Sequence, residues 1–195
     1  MQRPLSFRFL VFALALFLPT LAHAHTGLGN TPGFLPGLAH PLLGLDHLCA
    51  MLAVGLWAAQ LGGRARWVVP LTFVGVMAIG GMLGMAAVPL PFAEHGLVAS
   101  VFVLGVLIAA AVRLPVAAGA AIMGMFALFH GHAHGAEMPE NASALSSALG
   151  FIVTTAGLHL GGIGLGVLAQ RWASASLVRY AGGGITAVGV YLCCV

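Results

Sequence analysis

Six apolar stretches of bilayer-crossing length run through this chain, separated by interruptions of only a few residues. They extend from about Leu38 to Leu61, Trp67 to Val88, His95 to Val112, Leu114 to His134, Leu145 to Ala169 and Ser176 to Val195. A helix needs about 20 apolar residues to cross the hydrocarbon core, and inside lipid the backbone must satisfy its own hydrogen bonds. The expected architecture is therefore all-α: a polytopic membrane protein of six transmembrane helices. The charge content agrees, since 6% of the 195 residues are charged against about 25% in a soluble domain. The mean hydropathy is +1.07. The breaks hold Gly62-Gly63-Arg64, Pro89-Leu90-Pro91, Arg113-Leu114-Pro115, Pro139-Glu140-Asn141 and Arg171. Such short turns make sequential helices antiparallel neighbours.

The N-terminal segment reads as a cleavable signal peptide, residues 1–24, ahead of a six-helix transmembrane domain, residues 25–195. Arg3 and Arg8 form its basic region, Phe9 to Leu18 its apolar region, and Ala22-His23-Ala24 its cleavage pattern. Cleavage after Ala22 and an uncleaved extra helix are the alternatives. The charges then orient the bundle. Arg64, Arg66, Arg113, Arg171 and Arg179 fall at one set of turns, and Glu94, Glu137 and Glu140 at the other. The positive-inside rule puts the arginines in the cytoplasm and both mature termini in the periplasm of a bacterial inner membrane. The chain lacks a basic run for nucleic acid and a phosphate-binding loop, so neither nucleic-acid binding nor an ATPase activity is expected. Cys49, Cys193 and Cys194 form no C-x-x-C pair and read as small apolar residues.

Histidines and carboxylates gather toward the outer ends. His40 and His47 are seven residues apart, nearly two turns, and share a face if one helix carries both. Asp46 is either a co-ligand or the acceptor for the other ring N–H of a histidine. Pro41 suits a first helical turn, with His40 at the water-facing entrance. His130 and His134 stand at i, i+4, and Glu137 extends the stripe, a spacing used by helix-borne metal sites. His132 points off that stripe, to an outer site or the surface. Glu94 and His95 read equally as an outer ligand pair or as interfacial polar groups. His159 reads as a satisfied core histidine as readily as a ligand. The aromatics of the second stretch, Phe73 among them, read as lipid-facing or packing residues. Charged groups in lipid are costly and mark function, and imidazole with carboxylate suits borderline divalent metals. The candidate metal residues are His40, Asp46, His47, Glu94, His130, His134 and Glu137. Gly80-x-x-x-Gly84, Gly162-x-x-x-Gly166 and Gly182-Gly183-Gly184 suggest close helix contacts.

Two of these clusters carry a resemblance. His40, five residues, then Asp46-His47, and Phe129-His130-Gly131-His132-Ala133-His134-Gly135-Ala136-Glu137, resemble the two signatures of the HupE/UreJ family of nickel and cobalt permeases. The resemblance covers essentially the whole chain. It implies uptake of nickel or cobalt for metalloenzyme assembly such as hydrogenase or urease maturation, or for cobalamin. It also implies that His40, Asp46, His130, His134 and Glu137 are essential, with Phe73 and Glu94 as further carry-overs. On this reading the protein is no enzyme and holds no resident cofactor. Its partners are a divalent cation and the lipid bilayer. The ion meets Glu94, Glu137 and the fourth-stretch histidines first, then exchanges to His40, His47 and Asp46. Histidine ligates only when neutral, so uptake is expected to fall below pH ~6.5. A membrane metal sensor that moves nothing is the alternative. An intramembrane metalloprotease would want H-E-x-x-H, which is absent.

Overall fold

The computed structural model describes residues 33–138 and 143–194, and they are almost entirely helical, with no strand among them. The elements are α1 (Phe34–Leu43), α2 (Leu45–Leu61), α3 (Ala65–Met85), α4 (Ala93–Ala109), α5 (Val116–Ala136), α6 (Ser143–Leu168) and α7 (Ala175–Cys194). A π-helical turn, Ala169–Ala173, continues α6 toward α7. The expected signal peptide and Glu140 lie outside the described residues.

Four helices, α3, α5, α6 with its continuation, and α7, are long and apolar enough to cross a bilayer. The first expected span is not one helix. It is α1 and α2, bent by 84° at Gly44. The reason is local. Pro41 sits in the last turn of α1, not a first turn, and its ring removes the N–H that would bond back to Gly37. Gly44 is extended at φ −90° and ψ 125°, and a Cβ there would lie 2.7 Å from both Asp46 Oδ1 and His47 Nδ1. A helix continuing past Leu43 would fill the space that these two side chains use. The third expected span, α4, is also shorter than forecast, at 17 residues.

Packing is set by glycine seams. α3 runs along α5, α4 along α7, and α6 along both α1 and α2. At the α3–α5 seam Gly80 faces the Leu128 carbonyl, Gly84 that of His132, Gly131 that of Met77 and Gly135 that of Gly81. Gly55 of α2 and Gly162 of α6 meet face to face. Backbones this close gain dispersion contacts that no larger residue would allow, which is how helices associate without a hydrophobic drive. Gly183 meets open space, so only part of the Gly182-Gly183-Gly184 run is used in packing. Polar bonds pin the broken helix. Thr154 Oγ1 donates to Leu38 O at 2.8 Å, and Gly33 N donates to Ser147 Oγ at 2.8 Å.

The core is apolar toward the arginine end, around Trp57, Met51, Leu104, Ile108 and Met123, all fully buried. Trp57 Nε1 donates to Val112 O, Gln60 Nε2 to Ile108 O and Arg179 Nε to Ala109 O, which draws the C-terminal ends of α2 and α4 and the start of α7 together. The described arginines therefore share one end of the bundle. Outward faces are apolar too. Leu35, Leu71, Leu145 and Leu160 are exposed, as suits side chains that meet lipid.

Candidate metal centre

The bend at Gly44 aims α1 and α2 at a common point. His40 comes from α1, His47 from the first turn of α2 and His134 from the last turn of α5. One ligand atom from each lies within 4.8 Å of the other two. The ring centroids stand 5.6 Å apart for His40–His47, 4.9 Å for His40–His134 and 4.4 Å for His47–His134. His40 is exposed while His47 and His134 are buried, so the group opens to its surroundings on one side. His40 and His47 therefore meet across a break and not along one helical face.

Asp46 fixes the chemistry of His47. The Nδ1–H of His47 donates to Asp46 Oδ1 at 2.7 Å. The remaining nitrogen, Nε2, then carries the lone pair and faces Nε2 of His134 in direct contact. In that tautomer the contact is an N–H···N bond, with His134 donating. A divalent cation would replace it by two lone pairs. Of the two roles open to Asp46 from the sequence, the geometry favours the orienting one. Placement in the first turn of α2 also suits a carboxylate, because the helix N-terminus is its positive end.

The α5 stripe divides. His134 joins the group. His130 lies one turn deeper, fully buried, with its ring 5.9 Å from that of His47. Its Nδ1–H donates to Phe126 O at 3.0 Å, and its Nε2 has no partner among the described residues. Glu137 is exposed at the end of α5, with Oε2 3.8 Å from His134 Nδ1. It rims the group without entering it. Glu94 is exposed at the start of α4 and lies outside the group, as does its exposed neighbour His95, whose ring stacks edge-on to Phe92. His132 corrects its forecast. It is buried, not on the surface, and its Nε2–H donates to Val88 O at 2.6 Å. This bond ties α5 to the turn that follows α3.

One aromatic escaped the sequence reading. Phe151 of α6 touches the rings of His40, His47 and His134 at centroid distances of 5.8, 6.3 and 4.6 Å. It forms an apolar wall that fixes the three rotamers and keeps water from one side. The available signal was that Phe151 is the only Phe, Tyr or Trp in α6. Phe73 of α3, which the resemblance singled out, is wholly buried, so of its two alternatives it is the packing one, and it touches both His130 and His159.

Comparison with known proteins agrees with this picture. A family profile described as HupE / UreJ protein matches residues 13–192. Protein HupE of Rhizobium leguminosarum bv. viciae is 47% identical over 178 residues, which is 91% of this chain and 93% of that relative. No solved structure matches.

Proposed function

This chain belongs to the HupE / UreJ family, and on that footing we propose that it is a permease that carries a divalent transition-metal cation across the bacterial inner membrane. The cargo of this reading is nickel, with cobalt as the competing ion, and the direction is periplasm to cytoplasm. In the cell such an activity would feed hydrogenase or urease maturation. One observation carries the reading: three imidazoles from three helices converge within 4.8 Å at the end of the bundle opposite the arginines. Nothing in ordinary core packing asks for three adjacent histidines, whereas a borderline divalent ion does.

The geometry supports capture in a single step at His40, His47 and His134, in place of a handover from an α5 site to an α1 site. Asp46 presents His47, Phe151 walls the group, and Glu94 and Glu137 supply negative charge around the opening that concentrates cations. The donors are imidazole nitrogens with no thiolate among them. Such a set binds tightly enough to strip hydration and loosely enough to let the ion pass. The carboxylates and histidines lie on the outer side under the positive-inside rule, and this reading counts the bent α1–α2 pair and the 17-residue α4 as spans beside the four long helices.

Uptake of radioactive nickel into vesicles tests the proposal. The wild-type chain accumulates nickel, and a His47→Ala, His134→Ala double variant does not. Equal uptake by the two chains defeats it. Competition by excess cobalt, zinc and magnesium ranks the cargo. Metal binding without any uptake by the wild type would support a sensor instead.

A further inference from the structure

We propose that an ion leaving the three-histidine group passes inward over the Nε2 of His130 and the hydroxyl of Thr155 to His159, a further cation ligand deeper in the bundle. The inference rests on the permease reading and extends it inward.

The first ground is an unusual concentration of unused polar atoms. His159 of α6 is 1% exposed, and neither of its ring nitrogens has a hydrogen-bond partner among the described residues. Thr155, one turn earlier on the same helix, is fully buried, and its Oγ1 has no partner among them either. His130 Nε2 is in the same condition. Buried polar groups are normally paired, and an unpaired one calls for an explanation. His130 and His132 each bond a carbonyl through one ring nitrogen and leave the other unpartnered among the described residues, whereas His159 bonds through neither.

The second ground is position. Phe151 walls the three-histidine group, and His159 follows it by eight residues on α6, about 12 Å at the helical rise. On α2 the same depth separates His47 from Gly55, and Gly55 packs against the His159 backbone. Two helices thus place His159 at the same level. His130 lies four residues from His134, about 6 Å inward, and Thr155 lies the same distance past Phe151. The order from the opening inward is His40, His47 and His134, then His130 with Thr155, then His159. Phe73 links the last two imidazoles, 5.5 Å from His130 and 5.1 Å from His159, perpendicular to the latter.

The third ground is ligand chemistry. Because His130 Nδ1–H is committed to Phe126 O, its Nε2 carries a lone pair. Neutral His159 offers one lone pair in either tautomer. Imidazole nitrogens and a hydroxyl oxygen met in succession are donors of the outer group's N/O type but fewer at each level, which suits onward release.

Two measurements on the full chain test this: nickel uptake into vesicles, and binding of cobalt, followed by its visible absorbance, to the protein in detergent. His159→Leu keeps the volume and removes both nitrogens. Its uptake is expected to fall about tenfold or more while cobalt capture stays within about twofold of wild type, as expected for a site beyond the first. His159→Gln, which restores a side-chain donor, is expected to recover part of the uptake. The inference is overturned if His159→Leu takes up nickel like the wild type, if it loses cobalt capture as well, or if His159→Gln is no better than His159→Leu. Failure of the permease reading looks different, because there the wild type itself accumulates nothing.

Discussion

Asp46 acts on the metal group through one hydrogen bond, and that bond makes a sharp prediction. An asparagine keeps the shape of the side chain but can present its NH2 to His47, which would reverse the ring tautomer and place N–H where the lone pair is needed. Replacing an outer-shell partner of a ligating histidine costs about 10–100-fold in metal affinity. Asp46→Asn is therefore expected to weaken nickel binding by about that factor while the chain still folds. Calorimetric titration of the detergent-solubilised protein measures it, and unchanged affinity would remove Asp46 from the orienting role. Residue types and spacing identified His40, His47 and His134 from the sequence, because imidazoles are rare in apolar helices and stand out. Phe151 was invisible there, since one phenylalanine in an apolar helix looks like any packing residue until its neighbours in space are known. His130 could not be told from His134 either, because the two stand four residues apart on one helical face.

At the level of helices, the glycine seams decide which pairs can approach. A Cβ on Gly131 would run into the Met77 carbonyl, whereas one on Gly75 meets nothing within 4 Å. Overpacking a close-packed contact costs about 1–3 kcal/mol, and a kcal/mol moves the midpoint of a chain this size by roughly 2–4 °C. Gly131→Ala should thus lower the thermal midpoint by about 2–10 °C. Gly75→Ala should leave it level or raise it slightly, since alanine favours helix over glycine. Thermal unfolding of the purified variants in one detergent compares them, and equal midpoints would mean the α3–α5 seam tolerates separation. The small-x-x-x-small spacing pointed to Gly80 and Gly84, and both face α5. The bend between α1 and α2 was not legible, because Pro and Gly are each tolerated inside membrane helices that continue past them.

The whole molecule is polarised along its long axis. The described arginines sit at one end, with the exposed Trp67, Trp172 and Tyr180 near them, as aromatic rings favour the membrane–water interface. In a chain whose three cysteines are replaced by alanine, Glu94→Cys should react with a membrane-impermeant thiol reagent added outside intact cells. Arg64→Cys should react only after permeabilisation, and the reverse pattern would invert the orientation. Proton competition belongs to this scale too, because every ligand in the group is an imidazole. A protonated ring has no lone pair to offer, so the sign is fixed: uptake falls as the outside is made more acidic. Initial nickel uptake across a pH series at fixed membrane potential checks it, and a rate that rises with acidity would point to carboxylates as the working ligands.

By itself, the sequence pointed to a helical membrane protein, the ends to which its charges segregate, and the histidine clusters on which the proposed function rests. Lipid makes these features legible, because every departure from apolar composition is conspicuous there. Only the tertiary structure decided which histidines meet, that the first span is broken to let them do so, and that a second set of unpartnered nitrogens lies beneath. Those outcomes depend on distances between side chains from separate helices, and helical periodicity constrains directions within one helix but says nothing of the rotation or depth at which two helices dock.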